Sequence, residues 1–461
     1  MMHVHAFENV LARGMCVGCG ACAVRTDGKV SVSLGRFGMH QADATGADAT
    51  TLRDAGRVCP FSDESENEDV LAAERWPELP VDERVGRWRD VWAGRIADDD
   101  RLPSSSSGGL TTWLLDALLA HGEIDGVVHV GRAPEGHFQY EVSHGREETD
   151  RRRKSRYTSV SFAEVLTSLR ESDGRYAFVG VPCFVRAARL VAREDPAIRE
   201  RLTLYVGLVC GHLKTRYFAE SLAWQAGIPP EDLEAADFRV KVPGRPASAY
   251  AFEATRRSTG AEELLPMREA LDGNWGYAAF QPQACDFCDD VFAETADVAL
   301  GDAWLPEYTP DWRGTNVVVS RDERVSEILR EGAAVGSIHL ETLTPERAAQ
   351  SQGGNYRHRR DGLRVRLADD IDAGLSVPRK RVEPGRDHVE PRRVALIRQR
   401  RRMSAASLVW FERARELGDF ETYARPMRAA IAKYHRIESS LWRRLVRRLR
   451  GAARRVASLR A

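Results

Sequence analysis

The sequence predicts a mixed α/β (α+β) core set between a small cysteine-rich module and a helical C-terminal tail. Three observations predict it. Four of the eight cysteines fall within residues 1–62, short apolar runs alternate with helical stretches from Arg89 to about Leu367, and a Pro- and Arg-rich connector then leads into basic helical sequence. The 461 residues suffice for two or three domains with substantial cores.

Residues 1–62 are rich in glycine and poor in long apolar runs, which predicts a module held together by its metal rather than by a core. Residues 63–87 are acidic (Asp63, Glu64, Glu66, Glu68, Asp69), then carry Trp76, Pro77 and Pro80, and read as a linker. Residues 88–376 are expected to form the main α/β region. Strands are expected at Asp125 to Val130, Tyr176 to Val181, Leu202 to Val209, Asp297 to Leu300 and Asn316 to Val319. Helices are expected at Leu110 to His121, Phe162 to Glu171, Phe184 to Arg193 and Arg216 to Ala226. Residues 377–402, with Pro378, Pro384 and Pro391, read as a second linker, and 403–461 as a basic helical tail.

Acidic and basic residues balance at 68 each, so no overall field argues for a nucleic-acid partner. The N-terminus carries no basic segment followed by an apolar one, and no run of about 18 apolar residues occurs, which places the expected location in the cytoplasm. Thiols stay reduced there, so clustered cysteines more often bind metal or do redox chemistry than form disulfides.

Cys16, Cys19 and Cys22 form a Cys-x2-Cys-x2-Cys run separated by small residues, and Cys59 follows with Pro60 directly after it. Three thiolates at that spacing can wrap one face of an iron–sulfur cubane while the distant cysteine closes the fourth corner. The position that would serve a second cluster in a bacterial ferredoxin is Thr26, so one cluster is expected here. Structural zinc is the rival, although its four-cysteine sites normally use two pairs.

The other four cysteines are spread along the chain. Cys183 and Cys210 each end an apolar strand, and carboxyl ends of strands form the binding edge of open α/β sheets. Cys285 and Cys288 add a Cys-x2-Cys pair. A second cluster is expected on these four, with zinc or inert buried thiols as alternatives.

Ser104 to Ser107, Gly108 and Gly109 lead straight into the helix beginning at Leu110, a hydroxyl-rich turn at a helix N-terminus suited to a pyrophosphate. A capping or linker role is the bland reading of the same serines. Arg151, Arg152, Arg153, Lys154 and Arg156 can face the same phosphates or line a solvated loop.

Together these pieces resemble the family of coenzyme F420 hydrogenase/dehydrogenase beta subunits, which includes 7-hydroxymethyl chlorophyll a reductases and divinyl reductases. The resemblance covers approximately residues 10–330. It rests on the first cysteine set with Pro60, Ser105-Ser106-Ser107-Gly108-Gly109, Lys154-Ser155-Arg156-Tyr157, Gly180-Val181-Pro182-Cys183, Val209-Cys210-Gly211-His212, Cys285-Asp286-Phe287-Cys288, Ala296-Asp297 and Gly301-Asp302.

What the resemblance implies is a flavoprotein core with a ferredoxin-like N-terminal iron–sulfur module. It implies FAD held by Ser105, Ser106, Ser107, Gly108, Gly109, Lys154, Ser155, Tyr157 and Asp302, two [4Fe–4S] clusters on the eight cysteines, and a small molecule or a deazaflavin such as coenzyme F420 docking on the flavin. His212 and Lys214, just beyond Cys210, become the expected catalytic residues, with Asn316 a further candidate. Phe184 stands where the family usually has glutamine. The expected function is a flavin-dependent iron–sulfur oxidoreductase served by a redox partner such as ferredoxin. The alternatives are a non-catalytic electron-transfer subunit and a zinc-stabilised binding protein.

From Leu441 to Ala461 there are eight arginines and no acid, with apolar residues at helical spacing. Such a helix suits peripheral contact with the inner membrane surface, docking on a protein surface, or plain solvation.

Overall fold

The computed structural model describes residues 4–132 and 138–439. The basic helix expected over 441–461 lies outside the described residues.

An eight-stranded mixed sheet organises the chain. Across it run Ile338–Thr342, Asp90–Ile96, Asn316–Ser320, Val298–Asp302, Leu202–Leu208, Tyr176–Gly180, Gly126–Arg132 and Phe138–Ser143. The four strands beginning at Gly126, Tyr176, Leu202 and Val298 are mutually parallel, and antiparallel strands flank them on both sides. The expected strands and helices therefore fall at their expected places, within a residue or two at the ends. The carboxyl ends of the parallel strands lead directly into Cys183, Cys210 and Asp302.

Successive side chains point to opposite faces, so one strand feeds two cores. Phe178, Tyr205 and Val128 pack on one face against the helix Pro182–Glu194 and the helix Ala163–Leu169. Val127, Val179 and Val206 pack on the other against Leu110, Leu114 and Leu118 of the helix Leu110–Ala120 and Ile328 of the helix Glu323–Ala334. A third core lies between the three-stranded sheet Leu233–Val240, Ala251–Arg256 and Glu262–Pro266, the helix Arg216–Gln225, and two C-terminal helices, Pro391–Leu417 and Glu421–Glu438.

Both stretches read as linkers carry structure. Residues 63–87 contain the helix Glu68–Arg75 and a short hairpin, Val81–Asp82 with Gly86–Arg87, and the buried Glu68 pairs with the buried Arg186 at 3.1 Å. In residues 377–402, Arg381 is clamped by Glu294 and Asp289, and a helix starts at Pro391, where proline suits the first turn. The described part of the tail is not a solvated extension: Phe411, Tyr423 and Met427 are fully buried. Charged residues dominate the composition of these segments and hide their few apolar anchors from a sequence reading.

The N-terminal module also has more of a core than its composition predicts. Val10, Met15, Val17, Val24 and Phe61 join one apolar cluster with Phe162, Val165 and Leu169 of the main body. The Phe162 N–H donates to the Cys19 carbonyl at 2.9 Å, which ties the cysteine loop to that helix. No helix among the described residues is long and apolar enough to cross a membrane.

Candidate functional site

Glycines shape the loop of the first cysteine set. Gly18 (φ 69°) and Gly20 (φ 94°) occupy the left-handed region, and a Cβ on Gly18 would lie 2.3 Å from the His40 carbonyl oxygen. Cys16, Cys19, Cys22 and Cys59 line one small cavity. The Gly18 and Ala42 N–H groups point at the Cys16 Sγ, at 3.3 and 3.4 Å.

The second set is gathered from three elements. Cys183 lies in the first turn of the helix Pro182–Glu194, where the helix dipole favours a thiolate. Cys210 follows the strand Leu202–Leu208, Cys285 lies within the short turn Gln283–Phe287, and Cys288 comes directly after it. The Cys183 thiol interacts electrostatically with those of Cys288, Cys285 and Cys210, and also with Cys19 of the first set, so the two sets are neighbours. The Leu213 N–H donates to the Cys285 Sγ at 3.2 Å.

Burial pushes all eight thiols up, Cys288 to about 11 and Cys59 to about 12, so each needs a cation or a metal to become a thiolate. The sequence reading missed one such cation. Arg359, buried on a π-helical turn, donates to the Cys288 Sγ and lowers the neighbouring Cys210 and Cys285. Among the described residues no three His, Cys, Asp or Glu side chains are arranged to hold a single metal ion. A cubane makes a different demand, since each of its four ligands takes a different iron.

Beside the second set opens a cavity of about 1210 Å³, larger than the roughly 300–1,000 Å³ of ordinary small-molecule sites. Ser105, Ser106, Ser107, Gly109, Lys154, Ser155, Tyr157, Cys210, His212, Lys214 and Asp302 all line it. Of the expected residues, Gly108 is set back: a Cβ there would lie 2.7 Å from the Gly94 carbonyl oxygen, so its role is to let the serine turn press onto the sheet.

The Ser155 N–H donates to the Ser106 Oγ at 2.8 Å, joining the serine turn to the basic run. Asn316 caps the helix behind that turn, its Oδ1 accepting from the Leu110 N–H at 3.1 Å. The Lys241 ammonium, absent from the sequence reading, donates to the carbonyls of Leu102, Ser107 and Arg313 and braces the turn from below. On the cavity wall, Arg153 Nη1 and Arg156 Nε are buried donors without an acceptor among the described residues. Buried donors of this kind call for an anion.

Lys154 has a left-handed backbone (φ 81°), a strained conformation of the sort found at ligand sites, and its ammonium pairs with Asp237 at 2.9 Å. Tyr157 stands edge-on to Trp275 and Phe238. Asp302 is held by both Nη groups of Arg239.

His212 is buried and leans on Trp275, ring centroids 4.6 Å apart. Burial and the cations Lys214, Arg400 and Arg359 hold it well below the usual imidazole range, so it is neutral. Its Nδ1 faces Arg400 Nη2 at 3.5 Å, and arginine can only donate, so the proton sits on Nε2. That Nε2 is buried with no partner among the described residues. The Lys214 ammonium donates to the Ala279 carbonyl at 2.5 Å and lies over Phe218, and burial pulls its pKa down to about 7.

Two family models match this chain. Residues 91–167 match the N-terminal part of the coenzyme F420 hydrogenase/dehydrogenase beta subunit, and residues 173–346 match its C terminus. The chain belongs to the coenzyme F420 hydrogenase/dehydrogenase beta subunit family. A subunit of the F(420)H(2) dehydrogenase of Methanosarcina mazei is 23% identical over 332 residues, which cover 70% of this chain and 84% of that one. A chain of the F420-reducing [NiFe] hydrogenase complex from Methanosarcina barkeri is similar at 19% identity with a TM-score of 0.46, covering 60% of this chain and 94% of that one. Membership in the F420 hydrogenase/dehydrogenase beta subunit family makes a redox, electron-transferring role the function of this chain. The two matched spans hold the serine turn, the basic run and the second cysteine set. The first set, Arg359 and the two C-terminal helices lie outside both.

Proposed function

We propose that the chain is a flavin-dependent iron–sulfur oxidoreductase that moves electrons between two [4Fe–4S] clusters, FAD and a small-molecule substrate or deazaflavin. One observation carries this reading: Cys210 is a member of the second thiol set and also lines the large cavity, while Cys183 adjoins Cys19 of the first set. First thiol set, second thiol set and cavity thus adjoin in turn.

FAD, when bound, supplies a centre that exchanges electrons singly or in pairs. The chain's residues bind and orient it. Ser106, Ser107 and the unpaired donors of Arg153 and Arg156 would hold the diphosphate at the start of the helix Leu110–Ala120. Trp275, Tyr157 and Tyr250 give the cavity aromatic walls suited to a planar ring. Neutral His212 presents an Nε2–H donor to the ligand, and Lys214, with its proton loosely held near neutral pH, is placed to exchange one.

The Methanosarcina mazei relative is named as one subunit of a dehydrogenase, which supports a redox partner for this chain, on our reading at the first cysteine set. Anaerobic purification followed by iron, sulfide, zinc and flavin analysis tests the proposal. Stoichiometric FAD with about eight irons and eight sulfides per chain is expected. Stoichiometric zinc without sulfide or flavin would sink it.

A further inference from the structure

Arg359 is only 2% exposed, yet among the described residues it forms no ion pair with any carboxylate. Its Nε donates to the Gly211 carbonyl at 3.0 Å, and its Nη1 to the Asp290 carbonyl and the Cys288 Sγ. The Asp290 carboxylate is close enough to be felt but does not reach the guanidinium. A buried cation without a counter-charge is strongly unfavourable, so one has to be supplied. The anions within reach are the sulfurs of Cys288, Cys210 and Cys285.

Among the described residues no arginine donates to a thiol of the first set. Arg186, whose charge is felt by Cys59, is already paired with Glu68 at 3.1 Å. Two four-thiol sites of the same ligand chemistry therefore stand in different fields.

We propose that Arg359 raises the reduction potential of the metal centre held by Cys183, Cys210, Cys285 and Cys288, and thereby favours electrons on the cavity side of the pair. This rests on the cluster reading of the proposed function. The step is the gain of one electron by that centre, with no bond made or broken and the electron supplied by dithionite in the test. A guanidinium and a hydrogen bond to sulfur both favour the more negative, reduced form, and cluster potentials follow net charge and sulfur hydrogen bonding.

A purely structural Arg359, which merely ties the Cys210 and Cys288 loops together, is the competing account. Electron paramagnetic resonance during an anaerobic dithionite titration separates the two, using the full-length holoprotein as wild type, Arg359→Gln and Arg359→Lys with iron and sulfide assayed. The Gln variant is expected to move the midpoint of one centre down by about tenfold in the one-electron equilibrium, roughly 59 mV, and to leave the other where it was. The Lys variant, which keeps the charge but loses the fork, is expected to move the same centre less. An unmoved midpoint in a fully iron-loaded Gln variant overturns the proposal. If the Gln variant loses its second centre, the Lys variant decides, and no downward shift there overturns it as well. A wild-type protein without iron fails the cluster reading itself, at the assay and before any titration.

Discussion

Asp302 and Arg239 meet as a two-pronged pair, with both Nη···Oδ distances at 3.0 Å and the guanidinium roofed by Tyr250 at 4.3 Å. The arginine is buried, so removing its partner strands a charge in the cavity wall. Asp302→Ala should lower stability by about 3 kcal/mol in urea unfolding, and Asp302→Asn by less, because the amide oxygen still accepts. Equal stability for the alanine variant would show that water pairs Arg239 unaided.

Arg153 and Arg156 have donors with no acceptor among the described residues, and a hydrogen bond to a charged group contributes roughly 1.5–3 kcal/mol. Arg156→Met should weaken FAD binding by about tenfold or more, read from the recovery of free-flavin fluorescence on dilution. A similar loss is expected for Arg153→Met.

Lys241 holds three backbone carbonyls around the serine turn, and burial brings its pKa down to about 7. Lys241→Met removes those donors while touching no expected ligand atom. Flavin retention after gel filtration should fall, with iron content unchanged.

The two cysteine sets should empty separately. Cys285→Ser is expected to lose about half of the iron and keep the first-set signal, whereas Cys16→Ser should do the reverse. Gly18→Ala should behave like Cys16→Ser, because its Cβ has no room beside His40. Loss of all iron from any one of the three would mean that the sets assemble as a single unit.

His129 is buried against the Ser143 hydroxyl at 2.7 Å, and burial lowers its pKa from 6.5 to about 4. The unfolded chain therefore takes up the proton first as pH falls. Stability is fully present above pH 6.5, is lost progressively between 6.5 and about 4, and the whole effect is about 3 kcal/mol. Chemical denaturation across that window should be flatter for His129→Gln, and identical slopes would remove His129 as a cause.

Much of this is legible in the chain itself. Val127, Phe178 and Val206 announce strands because β-branched and aromatic residues recur in short runs, and the cysteine spacings and the serine–glycine turn carry local chemistry. What stays hidden depends on distance along the chain. Arg359 reaches Cys288 across 71 residues and Lys241 reaches Leu102 across 139, and neither sits in a motif that marks it. The strand Asp90–Ile96 escapes a sequence reading because it is paired on both sides and largely buried on both faces, without the alternation that identifies a half-exposed strand. The helix Glu68–Arg75 is hidden by its own acidity, although Asn67 caps it.

The seam between the Cys19 loop and Phe162 bears on what this chain can lose. Discarding residues 4–62 would uncover Phe162, Val165 and Leu169 to water, a continuous apolar strip of the kind that drives aggregation. A shortened chain lacking those residues would carry that strip on its surface. The first cysteine set is in that sense bound to the scaffold, and the module that carries it cannot be exchanged without resurfacing the helix beneath.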